Sequence, residues 1–262
     1  MIKMNILFIG DIVGRAGRRS VRKLMDDIVK DQDIDFVLAN GENAAGGFGL
    51  TEDTSEELYG YGIDCMTMGN HTWGNKNIYE FIDDDEKLIR PLNFNERVPG
   101  RGYNTYQIKD KNITVINLIG QVFMGNHNSP VEAFDRVYEK IKDKSDYIIV
   151  DFHGEATGEK RAFAEYVKGK VTLVVGTHTH VQTNDEQILD KGTGYITDLG
   201  FSGACDSILG MKKEKVLYRL KTKMPKRLEV ATGQVQLSGI FATFNQKGET
   251  TAINSFIVRD NP

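Results

Sequence analysis

Five times along the chain an apolar run ends on glycine or a polar residue that can bind a metal, and this repeat constrains the fold more than any other feature. The clearest case is Val171 to Val175, a run rich in β-branched residues that reads as a buried strand. It runs out into Gly176-Thr177-His178-Thr179-His180. Side chains two apart on an extended strand share a face, but a turn at the strand end can aim the two imidazoles at neighbouring points. The other cases are Asn5 to Gly10 ending on Asp11, Phe36 to Ala39 ending on Asn40-Gly41-Glu42-Asn43, Asp64 to Met68 ending on Gly69-Asn70-His71, and Tyr147 to Phe152 ending on His153. Four of the five histidines stand at such ends, and only His127 does not.

Between these runs the periodicity changes. Ser20 to Lys30, Thr51 to Tyr59, Ile78 to Ile82, Val131 to Ile141 and Arg161 to Val167 carry apolar residues at helical spacing. Gly14 to Gly17 reads as a flexible loop ahead of the first helix; it matches neither a Walker A loop nor a dinucleotide fingerprint. Tyr103 to Ile119 reads as a β-hairpin turning at Lys109 to Asn112, and Val235 to Phe244 with Ala252 to Val258 as a closing antiparallel pair. The Lys- and Arg-dense segment from 212 to 227 reads as a solvated surface strand or loop. Alternating β and α segments joined to antiparallel pairs predict a mixed α/β fold, and nothing reads as a linker, so residues 1–262 form one domain.

Composition removes several functions. The net charge of −4 gives no basic field for long nucleic acid. No apolar stretch approaches the ~20 residues of a membrane span, and the N-terminus lacks a signal-peptide pattern. Two cysteines, Cys65 and Cys205, in no CxxC pattern fit a reducing cytoplasm.

In open α/β sheets ligands bind beyond the carboxyl ends of the strands. If the five strands are neighbours, their polar ends converge there. Each residue alone has a structural explanation: Asp11 or Asn70 as a turn former, Glu42 as surface, a single His as a hydrogen-bonded core group. Five coincidences at five strand ends are harder to accept. Carboxylate, amide oxygen and imidazole together suit Mn, Fe, Zn or Co, and suit Ca²⁺ poorly. The set is too large for one tetrahedral zinc and fits two bridged ions, the arrangement used for in-line displacement at phosphorus.

The ordered motifs Gly10-Asp11, Gly41-Glu42-Asn43, Gly69-Asn70-His71, His153-Gly154-Glu155 and Gly176 to His180 resemble those of calcineurin-like metallophosphoesterases. The common pattern has His where this chain has Val13, a bridging Asp where it has Glu42, and an acid where it has Thr72. With GENAAGG, GNHTWGN, RPLNF, PGRGY, HGEATGEK, GTHTHVQT and ITDLGFSGACDSILGM, the departures resemble the YmdB-like branch, over nearly the whole chain. The resemblance implies two packed mixed β-sheets flanked by helices, and a homo-oligomeric phosphodiesterase for small cyclic nucleotides, with 2′,3′-cyclic nucleotides favoured. It implies one ion held by Asp11, Glu42, Asn43 and His180 and a second by Glu42, Asn70, His153 and His178, with iron or manganese ahead of zinc or cobalt. A hydroxide between the ions would attack phosphorus, and His71 would protonate the leaving oxygen as general acid. Glu155 and Asp198 are candidates for orienting the ligating rings. Two other readings stay open: a phosphomonoesterase or 5′-nucleotidase with the same centre, and a metal-containing signalling or RNA-associated binding protein.

Overall fold

The structure, a computed structural model, describes residues 3–260. The chain opens on β1 (Met4–Ile9), then the two-residue β2 (Asp11–Ile12), α1 (Gly14–Asp31), β3 (Phe36–Asn40), α2 (Glu52–Gly60), β4 (Cys65–Thr67), α3 (Ile78–Phe81) and β5 (Leu88–Ile89). The hairpin β6 (Tyr103–Ile108) and β7 (Lys111–Ile119) follows, then α4 (Pro130–Ile141), β8 (Tyr147–His153), α5 (Thr157–Val167) and β9 (Leu173–Thr177). After β9 come β10 (Gln187–Leu189), β11 (Thr193–Ile196), β12 (Phe201–Ala204), α6 (Lys213–Thr222), β13 (Val235–Phe244) and β14 (Thr250–Arg259).

The strands form two mixed sheets. The first runs β2-β12-β13-β1-β3-β4-β5, with β14 paired to β13; the second runs β10-β11-β9-β8-β7-β6. In the first, β1, β3, β4 and β5 are parallel and β13 is antiparallel to β1. In the second, β7, β8, β9 and β11 are parallel, with antiparallel β6 and β10 at the edges.

Alternation along the central strands sorts their side chains into layers. Ile6, Phe8, Phe36 and Leu38 of the first sheet meet Val115, Tyr147, Ile149 and Leu173 of the second in one buried cluster. Leu7, Ile9, Val37 and Ala39 point the other way, onto Val21 and Met25 of α1 and Leu58 of α2. On the far side, Leu118, Ile148, Val150 and Phe152 pack against Phe134 and Val137 of α4 and Phe163 of α5. The result is the α/β/β/α sandwich that the motif resemblance implies. Its parallel strands β1, β3 and β4 in one sheet and β8 and β9 in the other bring their carboxyl ends together at one edge of the interface.

Local chemistry sets the helix starts. Thr51 caps α2 through a reciprocal pair with Thr54, and Ser129 caps α4 ahead of Pro130, whose missing N–H costs nothing at that position. Three departures from the sequence reading are clear. Residues 14–17 are not a loop but the first turn of α1, because Gly14 and Gly17 let the helix begin directly beyond β2; a Cβ at Gly17 would stand 2.5 Å from the Ser202 carbonyl. α5 likewise begins at Thr157, ahead of the expected Arg161. The basic segment after residue 212 contains α6 rather than a strand or loop, and none of its residues is buried. Among the described residues no helix is long and apolar enough to cross a membrane.

Ile149 is fully buried where the two sheets meet. Ile149→Ala is expected to lower unfolding free energy by about 2–5 kcal/mol, read from the urea midpoint at unchanged slope. A loss well below 1 kcal/mol would contradict a close-packed interface between the sheets.

Candidate metal centre

Every polar group picked out at a strand end arrives at the common edge. Asp11 opens β2 just beyond β1, Glu42 and Asn43 follow β3, Asn70 and His71 follow β4, His153 ends β8, and His178 and His180 follow β9. Asp11, Glu42, Asn43 and His153 are buried, and the side chains of His71, His178 and His180 keep 30%, 22% and 13% exposure, so the site opens to solvent on the histidine side.

The donors fall into two groups. In the first, His153 Nε2 lies 2.9 Å from Asn70 Oδ1, 3.2 Å from Glu42 Oε1 and 3.1 Å from His178 Nδ1. Glu42, His153 and His178 together satisfy the spacing of a metal-holding group. In the second, His180 Nε2 lies 3.6 Å from Asp11 Oδ1 and 3.3 Å from Asn43 Nδ2. The two rings of the GTHTH turn therefore face different partners. The turn does this through positive φ at both, 101° at His178 and 63° at His180, a costly conformation for residues other than glycine.

Partners on the far side of each ring point to one neutral tautomer for it. Thr177 Oγ1 donates to Asp151 Oδ1 at 2.8 Å, so it accepts from His153 Nδ1 at 2.9 Å. The Nε2 lone pair of His153 is thereby directed into the donor group. His180 Nδ1 donates to the Leu209 carbonyl at 3.2 Å, which directs its Nε2 lone pair at Asp11. His178 Nε2 faces the Glu155 carboxylate at 3.1 Å, which leaves Nδ1 facing His153 Nε2. Unless a proton or another cation lies between them, acceptor faces acceptor in both groups: His153 Nε2 with Glu42 Oε1 and His178 Nδ1, and His180 Nε2 with Asp11 Oδ1, which is buried without a hydrogen-bond partner among the described residues. Buried acceptors in this arrangement cost free energy until a cation sits between them.

Titration reflects the same conflict. Burial works against a charged His180, and the Asp11 carboxylate outweighs it, pushing the ring up to about 9. Burial likewise opposes a charged His153, which Glu42 raises above the ordinary imidazole value. His178, half-buried beside His153, is pushed down to about 4. Asp11 and Glu42 stay ionised despite burial, because His180 and His153 respectively hold them below the carboxylate range. A proton now stands where a metal ion would satisfy both partners, and the residues fit such an ion.

His71 lies outside both groups. Its backbone N–H donates to Glu42 Oε2 at 2.9 Å, and its Nδ1 sits 2.7 Å from Asn43 Oδ1. Asn43 therefore turns its oxygen to His71 and its NH2 to Glu42 and His180, so in this orientation it positions a ring and offers no oxygen to an ion. Val13, where the common pattern has His, is fully buried against Gly210 and contributes nothing polar. Gly69 is required by crowding: a Cβ there would run into the His153 ring and stand 2.5 Å from Glu42 Oε2.

Several residues with a part in the site escaped the sequence reading. Asp151 holds Thr177, receives Thr67 Oγ1 at 2.5 Å and lies 3.4 Å from Asn40 Nδ2. Its signal was a lone carboxylate inside an otherwise apolar strand. Lys160 is fully buried, donates to the Thr177 carbonyl and pairs with Asp198, both at 2.8 Å. Asp198 also accepts from Thr179 N at 3.0 Å and Gly200 N at 2.9 Å, so it orients the turn rather than a ring. Glu155 does meet a ring, that of His178. Lys160→Met leaves Asp198 buried without its counter-charge and is expected to cost about 3–5 kcal/mol in urea unfolding. Adding Asp198→Asn should cost far less than the sum of the two single changes; simple additivity would show that the pair does not act as a unit.

Comparison with known proteins agrees with this architecture. The family model of YmdB-like proteins matches residues 7–256. A Bacillus subtilis protein named 2′,3′-cyclic-nucleotide 2′-phosphodiesterase is 44% identical, over 98% of both chains. A crystal structure described as a novel phosphatase from Mycoplasma pneumoniae superposes with a TM-score of 0.94 at 30% identity, covering 100% of this chain and 96% of that one. A hypothetical protein from Thermus thermophilus gives 0.93 at 36% identity, over 98% and 100%. On the matched motifs, the shared sandwich and the length of these alignments, the chain belongs to the YmdB-like protein family.

Proposed function

We propose that the protein is a two-metal phosphodiesterase, acting as one catalytic unit, that opens nucleoside 2′,3′-cyclic phosphates. The observation that carries this reading is the pair of adjacent donor groups, one around Glu42, Asn70, His153 and His178 and the other around Asp11 and His180, with Asp11 Oδ1 buried and unpartnered among the described residues. The substrate class rests on the Bacillus subtilis relative, which is named for that activity. Glu42, Asn70, His153 and His178 would hold one ion, and Asp11, Glu42 and His180 the other, with Asn43 joining the second if its amide turns over. Carboxylate, amide oxygen and imidazole favour iron or manganese, with zinc or cobalt also accommodated. Two such ions supply Lewis acidity and a water of lowered pKa.

The chain's own residues do the rest. Neutral Asn70 and Asn43 add no negative charge, so the centre stays attractive to a phosphate anion. Glu42 takes the His71 backbone N–H and so fixes that ring beside the centre. Asn43 Oδ1 accepts from His71 Nδ1, which leaves Nε2 as the nitrogen that gives its proton to the departing ribose oxygen. Burial lowers His71 below the ordinary imidazole value, which makes its protonated form a stronger acid. Free Cys65 and Cys205 accord with a cytoplasmic enzyme, and homo-oligomerisation belongs to the same reading.

A second reading, a phosphomonoesterase with the same centre, is favoured by the Mycoplasma pneumoniae structure described as a phosphatase. Turnover of 2′,3′-cyclic AMP, 3′,5′-cyclic AMP and 3′-AMP separates the two. The phosphodiesterase reading expects the highest kcat/KM on the first, and preference for 3′-AMP would replace it with the second. His71→Ala should keep the metal content and lose roughly 10²- to 10⁴-fold in kcat. His178→Ala should lose metal along with activity, and full metal content in that variant would remove His178 from the ligand set.

A further inference from the structure

We propose that Phe48 is the platform on which the substrate's nucleobase stacks, which makes the loop from Ala44 to Gly49 a base-binding subsite. This inference rests on the cyclic-nucleotide reading above and names the part of the site that reads the nucleoside. Phe48 is 53% exposed, and its ring centroid lies 4.5 Å from that of His71, tilted by 47°. A single exposed phenylalanine is ordinary by itself. Its position is what carries the argument. It stands at the open, histidine-lined side of the donor groups, next to the ring that faces the departing oxygen.

The loop is shaped to hold it there. Gly46, Gly47 and Gly49 have φ of 67°, 89° and 79°, conformations that a side chain disfavours. Ala45 N donates to the Gly49 carbonyl and Phe48 N to the Ala45 carbonyl, which closes the turn. Gly74 supplies the seat, since a Cβ there would lie 2.7 Å from the Phe48 ring. The same loop begins at Glu42 and Asn43, so ring and donors are fixed by one short segment.

The neighbouring aromatics are already occupied. Trp73 stacks on Tyr79 at 5.4 Å, nearly parallel, and also meets Phe94 at 5.9 Å. Phe201 is buried and stacks along His180. Phe48, by contrast, has the His71 ring as its aromatic neighbour and half its surface in solvent. Nucleoside chemistry matches this spacing. In a 2′,3′-cyclic nucleotide the base is carried on C1′, bonded directly to the C2′ whose oxygen departs. A base therefore lies within one sugar of the general acid, and an aromatic face beside His71 is placed to receive it. Stacking tolerates all bases, because each presents a π-face, so the subsite should bind purines and pyrimidines with modest preference.

The test compares a substrate with a base and one without. Phe48→Ala should raise KM for 2′,3′-cyclic AMP by about 5- to 150-fold, the range of one base–aromatic stack, with kcat little changed. It should leave kcat/KM for glycerol 1,2-cyclic phosphate unaltered, and Phe48→Trp should restore the wild-type KM for the nucleotide. Calorimetric affinity for adenosine 3′-phosphate should fall by the same factor in Phe48→Ala. Equal effects on both substrates, or no effect on the nucleotide, overturns the subsite while the phosphodiesterase reading stands. Failure of the wild-type protein to hydrolyse either cyclic phosphate overturns that reading, and the subsite with it.

Discussion

The site depends on an electrostatic conflict that only a proton or a metal cation relieves: buried acceptors pointed at other buried acceptors. His153 Nε2 and His178 Nδ1 are 3.1 Å apart, and each ring has a polar partner behind it, Thr177 Oγ1 for His153 and the Glu155 carboxylate for His178. His180 Nε2 faces ionised Asp11 at 3.6 Å, and that carboxylate holds a proton on the ring in the place a metal ion would take. Burial makes such contacts expensive, because neither partner can turn to water. The rest of the structure holds them in place. Asp151 and Thr177 lock one ring, the Leu209 carbonyl locks a second, and the buried Lys160–Asp198 pair ties down the turn that carries two of them. A fold that spends stability this way has a cation to accommodate.

The two-sheet architecture is what makes the convergence possible. One sheet supplies Asp11, Glu42, Asn43, Asn70 and His71; the other supplies His153, His178 and His180. Neither sheet alone would bring Asp11 and Glu42 together with His153, His178 and His180. Ile149, Phe8 and their neighbours, packed between the sheets, thus act on the chemistry by fixing the distance between the two strand edges. Glu42 spans the gap, touching His153 through one oxygen and His71 through the other.

Much of this was legible in the chain. Buried parallel strands read as continuous apolar runs, so their ends could be located from residues such as Val175 and Phe152, and the polar groups beyond them stood out. What stayed hidden had no periodic signature. Helix α6 buries nothing, and its short apolar run from Val216 to Leu220 reads as strand as readily as helix. The first turn of α1 was masked by two glycines, Gly14 with its φ of 56° and Gly17 at its close approach to the Ser202 carbonyl. Lys160 lay just ahead of the expected helix start at Arg161, and only its seat between Thr177 and Asp198 reveals a buried cation. Asn43 could be recognised as part of the site, but its amide orientation, oxygen toward His71, depends on neighbours distant in sequence.

Elemental analysis of protein purified without chelators tests the central claim most directly. The account predicts about two transition-metal ions per chain in protein that hydrolyses 2′,3′-cyclic AMP, with turnover lost on chelation and regained on adding manganese or iron. Full turnover from protein holding one ion or none would contradict it.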